Sequence, residues 1–137
     1  MKKGVCMQEE NHSVPLKEQS PLSLAFLGDG VFELLVRRHL VETTKLKPAA
    51  LHKKAVQFVS AKRQFIILEK LQEFLTEQEK DIVRRGKNSS KATVAKHATS
   101  EEYRASTALE ALFGYLYLLG SEKRITELFE IIWEFAE

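Results

Sequence analysis

The chain of 137 residues holds a single cysteine, Cys6, so it cannot form an internal disulfide, which suits a reducing compartment. It also lacks any apolar run near the roughly 18 residues that a bilayer span needs, and no apolar stretch follows the two N-terminal lysines. These absences predict a soluble, cytoplasmic protein without a membrane partner. No segment alternates with period two over a convincing length, which argues against a sheet, and there is no internal repeat. His12, His39, His52 and His97 stand singly, with no nucleophile motif beside them and no zinc spacing; they are expected at the surface or near a ligand. At this length, 44% hydrophobic residues are enough for one core, and a second globular domain is not expected.

What is present is a set of helical signals. Residues 1–20 show no periodicity and are expected to form a loosely ordered tail. From Ser20-Pro21, a cap followed by a proline at the first helical position, apolar residues recur at helical spacing to about Leu40. Further helices are predicted from Lys47-Pro48, from Ser60, and from the capping box Thr76/Glu79 to Arg85, with Gly86 ending the last of these. Residues 87–98 are expected to form a basic, polar loop. A second capping box, Thr99/Glu102, opens a helix that stops at Gly120, and Ser121 caps the final one. The predicted fold class is all-α, with about six helices in one domain over residues 21–137.

Net charge is only +2, but it is unevenly spread. Residues 37–70 hold nine Lys/Arg against two Glu, and residues 84–96 hold Arg84, Arg85, Lys87, Lys91 and Lys96 with no acid. Residues 109–137 hold six acids against two bases. Concentrated positive charge marks a polyanion site, a solvated helix face being the plainer alternative. Candidate contacts are His52, Lys53, Lys54, Lys62, Arg84, Arg85, Lys87, Asn88, Lys91, Lys96, Tyr103 and Arg104.

Two carboxylates interrupt apolar segments. Asp29 lies within Leu24–Phe32, and Glu110 lies between Ala108-Leu109 and Ala111-Leu112-Phe113. Neither has a basic neighbour, and an unpaired buried charge is costly. As a pair they suit Mg²⁺, a hard cation that takes one or two carboxylates and keeps waters for phosphate oxygens. Glu33, four residues after Asp29, and Thr107 are candidate supports for that pair.

These residues also resemble a family. Phe26-Leu27-Gly28-Asp29 is similar to the signature of the ribonuclease III endonuclease domain, and Thr107-Ala108-Leu109-Glu110-Ala111-Leu112-Phe113-Gly114 to its second acidic motif. The likeness covers about residues 20–137 and is nearest to the compact bacterial branch, Mini-ribonuclease III. Leu51–Lys54, Val59–Lys62, Arg84–Asn88 and Tyr103–Thr107 resemble segments of that branch. The larger enzymes carry two more acids where this chain has Ala25 and Thr107, and they continue into a double-stranded RNA-binding domain that is not expected here; the compact branch shares both features.

The resemblance implies a homodimeric, Mg²⁺-dependent endoribonuclease, with Mn²⁺ as an acceptable substitute. It would cleave double-stranded RNA to 5′-phosphate products and mature the ends of 23S ribosomal RNA precursors, with a ribosomal protein as a further candidate partner. Asp29 and Glu110 would be both the catalytic residues and the metal ligands. The first helix is expected to be the dimer seam, Gly28 and Gly30 permitting close backbone approach. Two rival readings keep parts of the pattern. One is a catalytically silent helical module binding RNA or a ribosomal protein. The other is a dimeric adaptor using apolar surfaces that include Phe129, Trp133 and Phe135.

Overall fold

The computed structural model describes residues 13–90 and 98–136. Cys6, His12, Lys91, Lys96 and His97 fall outside them, as does the Phe135 side chain, so the expectations placed on these residues stay at the level of sequence. Among the described residues six α-helices follow one another: α1 (Pro21–Thr43), α2 (Pro48–Phe58), α3 (Ala61–Leu71), α4 (Glu77–Ser89), α5 (Ser100–Leu119) and α6 (Glu122–Ala136). Short 3-10 turns, Leu16–Glu18 and Gln72–Phe74, precede α1 and follow α3. The first lies in the stretch that showed no periodicity, and it packs Leu16 against the core.

The start signals act as the sequence predicts. The hydroxyls of Ser20 and Ser60 accept from the backbone N–H of Ser23 and Arg63, satisfying donors that a helix start leaves without a partner. Both capping boxes close in both directions, Thr76 with Glu79 and Thr99 with Glu102. Gly120 ends α5 in the left-handed region at φ 80°, where a side chain would be strained.

Gly86 is a correction. It does not end α4, which runs on to Ser89, so Lys87 and Asn88 belong to a helix rather than to a loop. The glycine serves packing. A Cβ there would lie 2.9 Å from the Cα of Ala108, so its bareness lets α4 press against α5.

Helix α5 is the axis of the molecule. Ala105, Thr107, Ala108, Leu109 and every residue from Ala111 to Leu116 are buried, as expected of a helix surrounded on nearly all sides. Helices α1, α3 and α4 pack around it. Helix α1 buries Leu24, Gly28, Phe32, Val36 and Leu40, one ridge at intervals of four, and Leu24, Gly28 and Phe32 of that ridge meet α5. Phe32 meets Phe113 edge to face at 5.3 Å, and Trp133 of α6 lies 4.5 Å from Phe58 and 3.7 Å from His39, ring centre to ring centre. His39 is therefore an aromatic packing partner, not a surface group. Phe129 is buried and Trp133 half-buried, so α6 spends its aromatic face on the core. That removes these two residues from any adaptor surface.

Arg124 fastens α6 to the rest. Its guanidinium grips Glu79 through two hydrogen bonds of 2.8 Å and donates to the carbonyl of Phe74 at 2.7 Å. Burial works against ionisation of Glu79, yet the Arg124 bonds and those from Thr76 outweigh it and hold the carboxyl below its usual range. The same side chain thus caps α4 and docks α6.

Candidate active site

The crossing of α1 and α5 builds the site. A Cβ on Gly28 would lie 1.6 Å from the carbonyl oxygen of Glu110, and one on Gly114 would lie 1.9 Å from that of Leu24. The pairing of 28 with 110 and of 24 with 114 shows that the helices run antiparallel. Two bare glycines let the backbones touch, and this contact sets Asp29 beside Glu110 although 81 positions separate them in sequence. Gly28 therefore serves an approach within the chain and not a seam between chains. Gly30 meets nothing within 4 Å.

The two carboxylates lie close enough for Asp29 to act on Glu110, but they sit in different surroundings. Asp29 is exposed and Glu110 half-buried. The expectation that Asp29 is buried among its apolar neighbours fails, because it points away from the ridge of Gly28 and Phe32, and Phe26 beside it is 86% exposed. Burial first, and then the charge and hydrogen bond of Asp29, push the Glu110 carboxyl up from 4.5 to about 8, against an opposing hydrogen bond donated by Gln64. Two acids this close do not both ionise cheaply, which adds to the effect of burial on Glu110.

This raised value has a thermodynamic sign. The native chain holds a proton on Glu110 that the unfolded chain releases near 4.5, so the stabilisation is complete below that pH and is lost as pH rises through about 8. In chelator, the protein is expected to be less stable at pH 9 than at pH 6 by on the order of 2 kcal/mol. Urea denaturation measures the difference, and Glu110→Gln should flatten it; equal slopes in both proteins would place the titration elsewhere.

The other sequence candidates divide. Glu33 is taken by Arg37, whose Nε and Nη2 donate to it at 3.0 and 2.6 Å, so it is not a partner of Asp29. Thr107 is buried and donates to the carbonyl of Tyr103 at 3.1 Å, with the Ser90 hydroxyl 3.2 Å away. It ties α4 to α5 just ahead of Glu110. Lys87, Asn88 and Arg104 line one groove of about 420 Å³ with Phe65, Glu69, Ser100, Glu101 and Ala105. The exposed Arg84 pairs with Asp81, and Arg85 lines a different groove, between the first 3-10 turn and Tyr115. A run that looks like one cluster in sequence is thus split by the helix turn. Lys53, Lys54 and Lys62 are exposed on α2 and at the start of α3, and His52, also exposed, borders a hollow with Arg37, Val41 and Pro48.

Gln64 and Ser106 were missed. Gln64 is 1% exposed, its side-chain oxygen accepts from the Ser106 hydroxyl, and its side chain reaches Glu110. A signal existed: Gln64, Leu68 and Leu71 fall at i, i+4 and i+7 on the inward face of α3, and Ser106 is four residues before Glu110.

Among the described residues, no three His, Cys, Asp or Glu side chains converge, and the donor set is this carboxylate pair. It fits one divalent cation that keeps most of its waters.

The ribonuclease III domain model matches residues 22–121. The Mini-ribonuclease 3 of Brevibacillus brevis is 43% identical over 131 residues, covering 96% of this chain and 98% of that one. The chain belongs to the Mini-ribonuclease III family. The enzyme of the same name from Symbiobacterium thermophilum is 44% identical over 117 residues, 85% of this chain and 90% of its own. The crystal structure of protein FN1578 from Fusobacterium nucleatum superposes with a TM-score of 0.80 at 34% identity, covering 89% of this chain and 98% of that one. As a Mini-ribonuclease III the chain is an endoribonuclease, of a family of double-strand-directed, divalent-metal-dependent nucleases. Among the described residues no helix is long and apolar enough to cross a membrane.

Proposed function

We propose that this chain is a homodimeric, Mg²⁺-dependent endonuclease that hydrolyses phosphodiester bonds in double-stranded RNA and matures the ends of 23S ribosomal RNA precursors in the cytoplasm. The observation that carries the chemistry is the Asp29–Glu110 pair, two carboxylates brought together where Gly28 and Gly114 let α1 and α5 touch. These two residues would hold Mg²⁺, or Mn²⁺ in its place. When bound, the ion supplies a lowered pKa for water and neutralises charge on the departing 3′ oxygen. Asp29, exposed, faces the arriving phosphodiester, while Glu110 is fixed from behind by Gln64. Water adds to phosphorus, the bond to the 3′ oxygen breaks, and the products carry a 5′ phosphate and a 3′ hydroxyl.

A-form RNA offers phosphates and 2′-hydroxyls rather than a readable major groove. Lys87, Asn88 and Arg104 suit that surface, since Arg104 lies six residues before Glu110 on α5, about 9 Å along the helix. Replacing Lys87 and Arg104 by alanine should weaken duplex binding about tenfold near physiological salt and reduce the salt slope by close to two counterions. Turnover at saturating RNA should persist. Binding titrations at several salt concentrations check this; an unchanged slope would put the RNA on another face.

The dimer reading rests on α1. Leu22, Phe26 and Leu34 stand exposed at intervals of four and eight, and Val41 extends the stripe. Tyr117, Leu118 and Leu119, exposed at the far end of α5, share the end of the molecule that carries Leu22, because α1 and α5 are antiparallel. A stripe of this kind marks a protein contact, and a two-fold pairing would present one site to each strand of a duplex. Phe26→Glu is expected to halve the mass seen by light scattering. A wild-type chain that is already monomeric at micromolar concentration and still cuts would sink the dimer.

The function is tested by incubating the protein with a defined RNA duplex with and without Mg²⁺. Cuts that need the ion support the reading. Binding without cleavage at every Mg²⁺ concentration would favour the catalytically silent module.

A further inference from the structure

Gln64 is the most buried polar side chain near the site, and both ends of its amide are in use. The amide oxygen accepts from the Ser106 hydroxyl, and the side chain also bonds to the Glu110 carboxylate. A buried amide is costly unless its donor and acceptor are both met, and here the order is determined. A carboxylate that holds a cation is ionised and only accepts, so in that state the amide nitrogen must face Glu110 and the oxygen must face Ser106. A flipped amide would set acceptor against acceptor. Ser106 is four residues from Glu110 on α5, and Gln64 comes from α3, so the relay ties the carboxylate to two helices.

We propose that Gln64, with its amide locked by Ser106, is a positioning residue that aims the Glu110 carboxylate at the divalent cation shared with Asp29. The inference rests on the metal reading above. Neither side chain touches the reacting atoms. Partners standing behind a metal ligand in this way typically contribute 10- to 100-fold in metal affinity.

The test uses full-length protein and Mn²⁺ alone, with free Mn²⁺ read by electron paramagnetic resonance in the absence of RNA. Gln64→Met keeps length and volume and removes the donor. It should weaken Mn²⁺ binding at least tenfold and lower kcat at fixed Mg²⁺, leaving KM for the RNA duplex unchanged. Ser106→Ala, a small change expected to fold in any case, should weaken Mn²⁺ binding severalfold, and it should add nothing in the Gln64→Met background, because the two act as one unit.

Wild-type Mn²⁺ affinity in both single variants overturns the proposal, as does full additivity in the double variant. Should Gln64→Met fail to fold, Ser106→Ala alone decides by the same Mn²⁺ reading. A different failure is recognisable: if wild-type protein binds no Mn²⁺ and Asp29→Asn cuts normally, the metal reading falls and this proposal falls with it. If Asp29→Asn abolishes Mn²⁺ binding and Gln64→Met does not weaken it, only the relay is wrong.

Discussion

Asp29→Asn and Glu110→Gln are each expected to lower the cleavage rate of an RNA duplex by at least a hundred-fold while leaving the protein folded. Both changes preserve shape and, with the cation held as proposed, remove a negative charge that it requires, a loss of about 3 kcal/mol or more in transition-state stabilisation. Stability should move differently. Asp29 is exposed, so its replacement should destabilise the fold by no more than about 0.5 kcal/mol. At Glu110 the native carboxyl is crowded by burial and by Asp29, so the neutral amide relieves a repulsion and should hold or raise stability in chelator at alkaline pH. Falling turnover beside steady stability is the mark of a residue retained for chemistry. Single-turnover cleavage beside urea denaturation reads both. Near wild-type turnover in either variant at saturating Mg²⁺ would show that the pair is not the metal site.

The parts of this molecule that were legible in sequence are those encoded locally. Caps at Ser20, Ser60, Thr76 and Thr99 and the stop at Gly120 depend on residues within one turn, and each lies where the sequence puts it. Asp29 and Glu110 were legible as an unusual pair, although for a reason that holds only at Glu110, which is half-buried while Asp29 is not.

What sequence could not show depends on which helix presses on which. Gly86 has the composition of a helix stop and is a packing site, because Ala108 of α5 arrives against it. His39 has the composition of a surface residue, but Trp133 of α6, 94 positions away, covers its ring. The Arg84–Lys87 run divides between two grooves because adjacent helical residues diverge by about 100°. Gln64 is not legible in sequence because its partners, Ser106 and Glu110, lie on another helix.

Gly28→Ala should be the most damaging single methyl in the protein. Alanine normally favours a helix interior over glycine by about 1 kcal/mol, so the local preference predicts a gain. Tertiary packing predicts the reverse. The new Cβ would lie 1.6 Å from the carbonyl oxygen of Glu110 and 2.8 Å from the backbone nitrogen of Gly114, and these are backbone atoms with no rotamer to change. Ordinary contact requires α1 and α5 to separate by nearly 2 Å, at the crossing that holds Asp29 beside Glu110. Overpacking of this kind costs about 3 kcal/mol or more when the neighbour cannot yield. Whatever folded protein remains should lose at least about a hundred-fold in cleavage, since a displacement near 1 Å is enough for that.

Gly114→Ala should behave alike, its Cβ falling 1.9 Å from the carbonyl of Leu24. Gly30→Ala supplies the contrast: beyond its own stretch of helix the new Cβ meets nothing within 4 Å, so the folded chain should gain up to about 1 kcal/mol. If a second copy packs closely over that face, the same substitution will register as a loss of dimer in light scattering instead. Urea denaturation and cleavage kinetics on the three variants separate these outcomes. A Gly28→Ala protein with native stability and turnover would mean that α1 and α5 do not cross at these glycines, and the geometry of the carboxylate pair would have to be rebuilt.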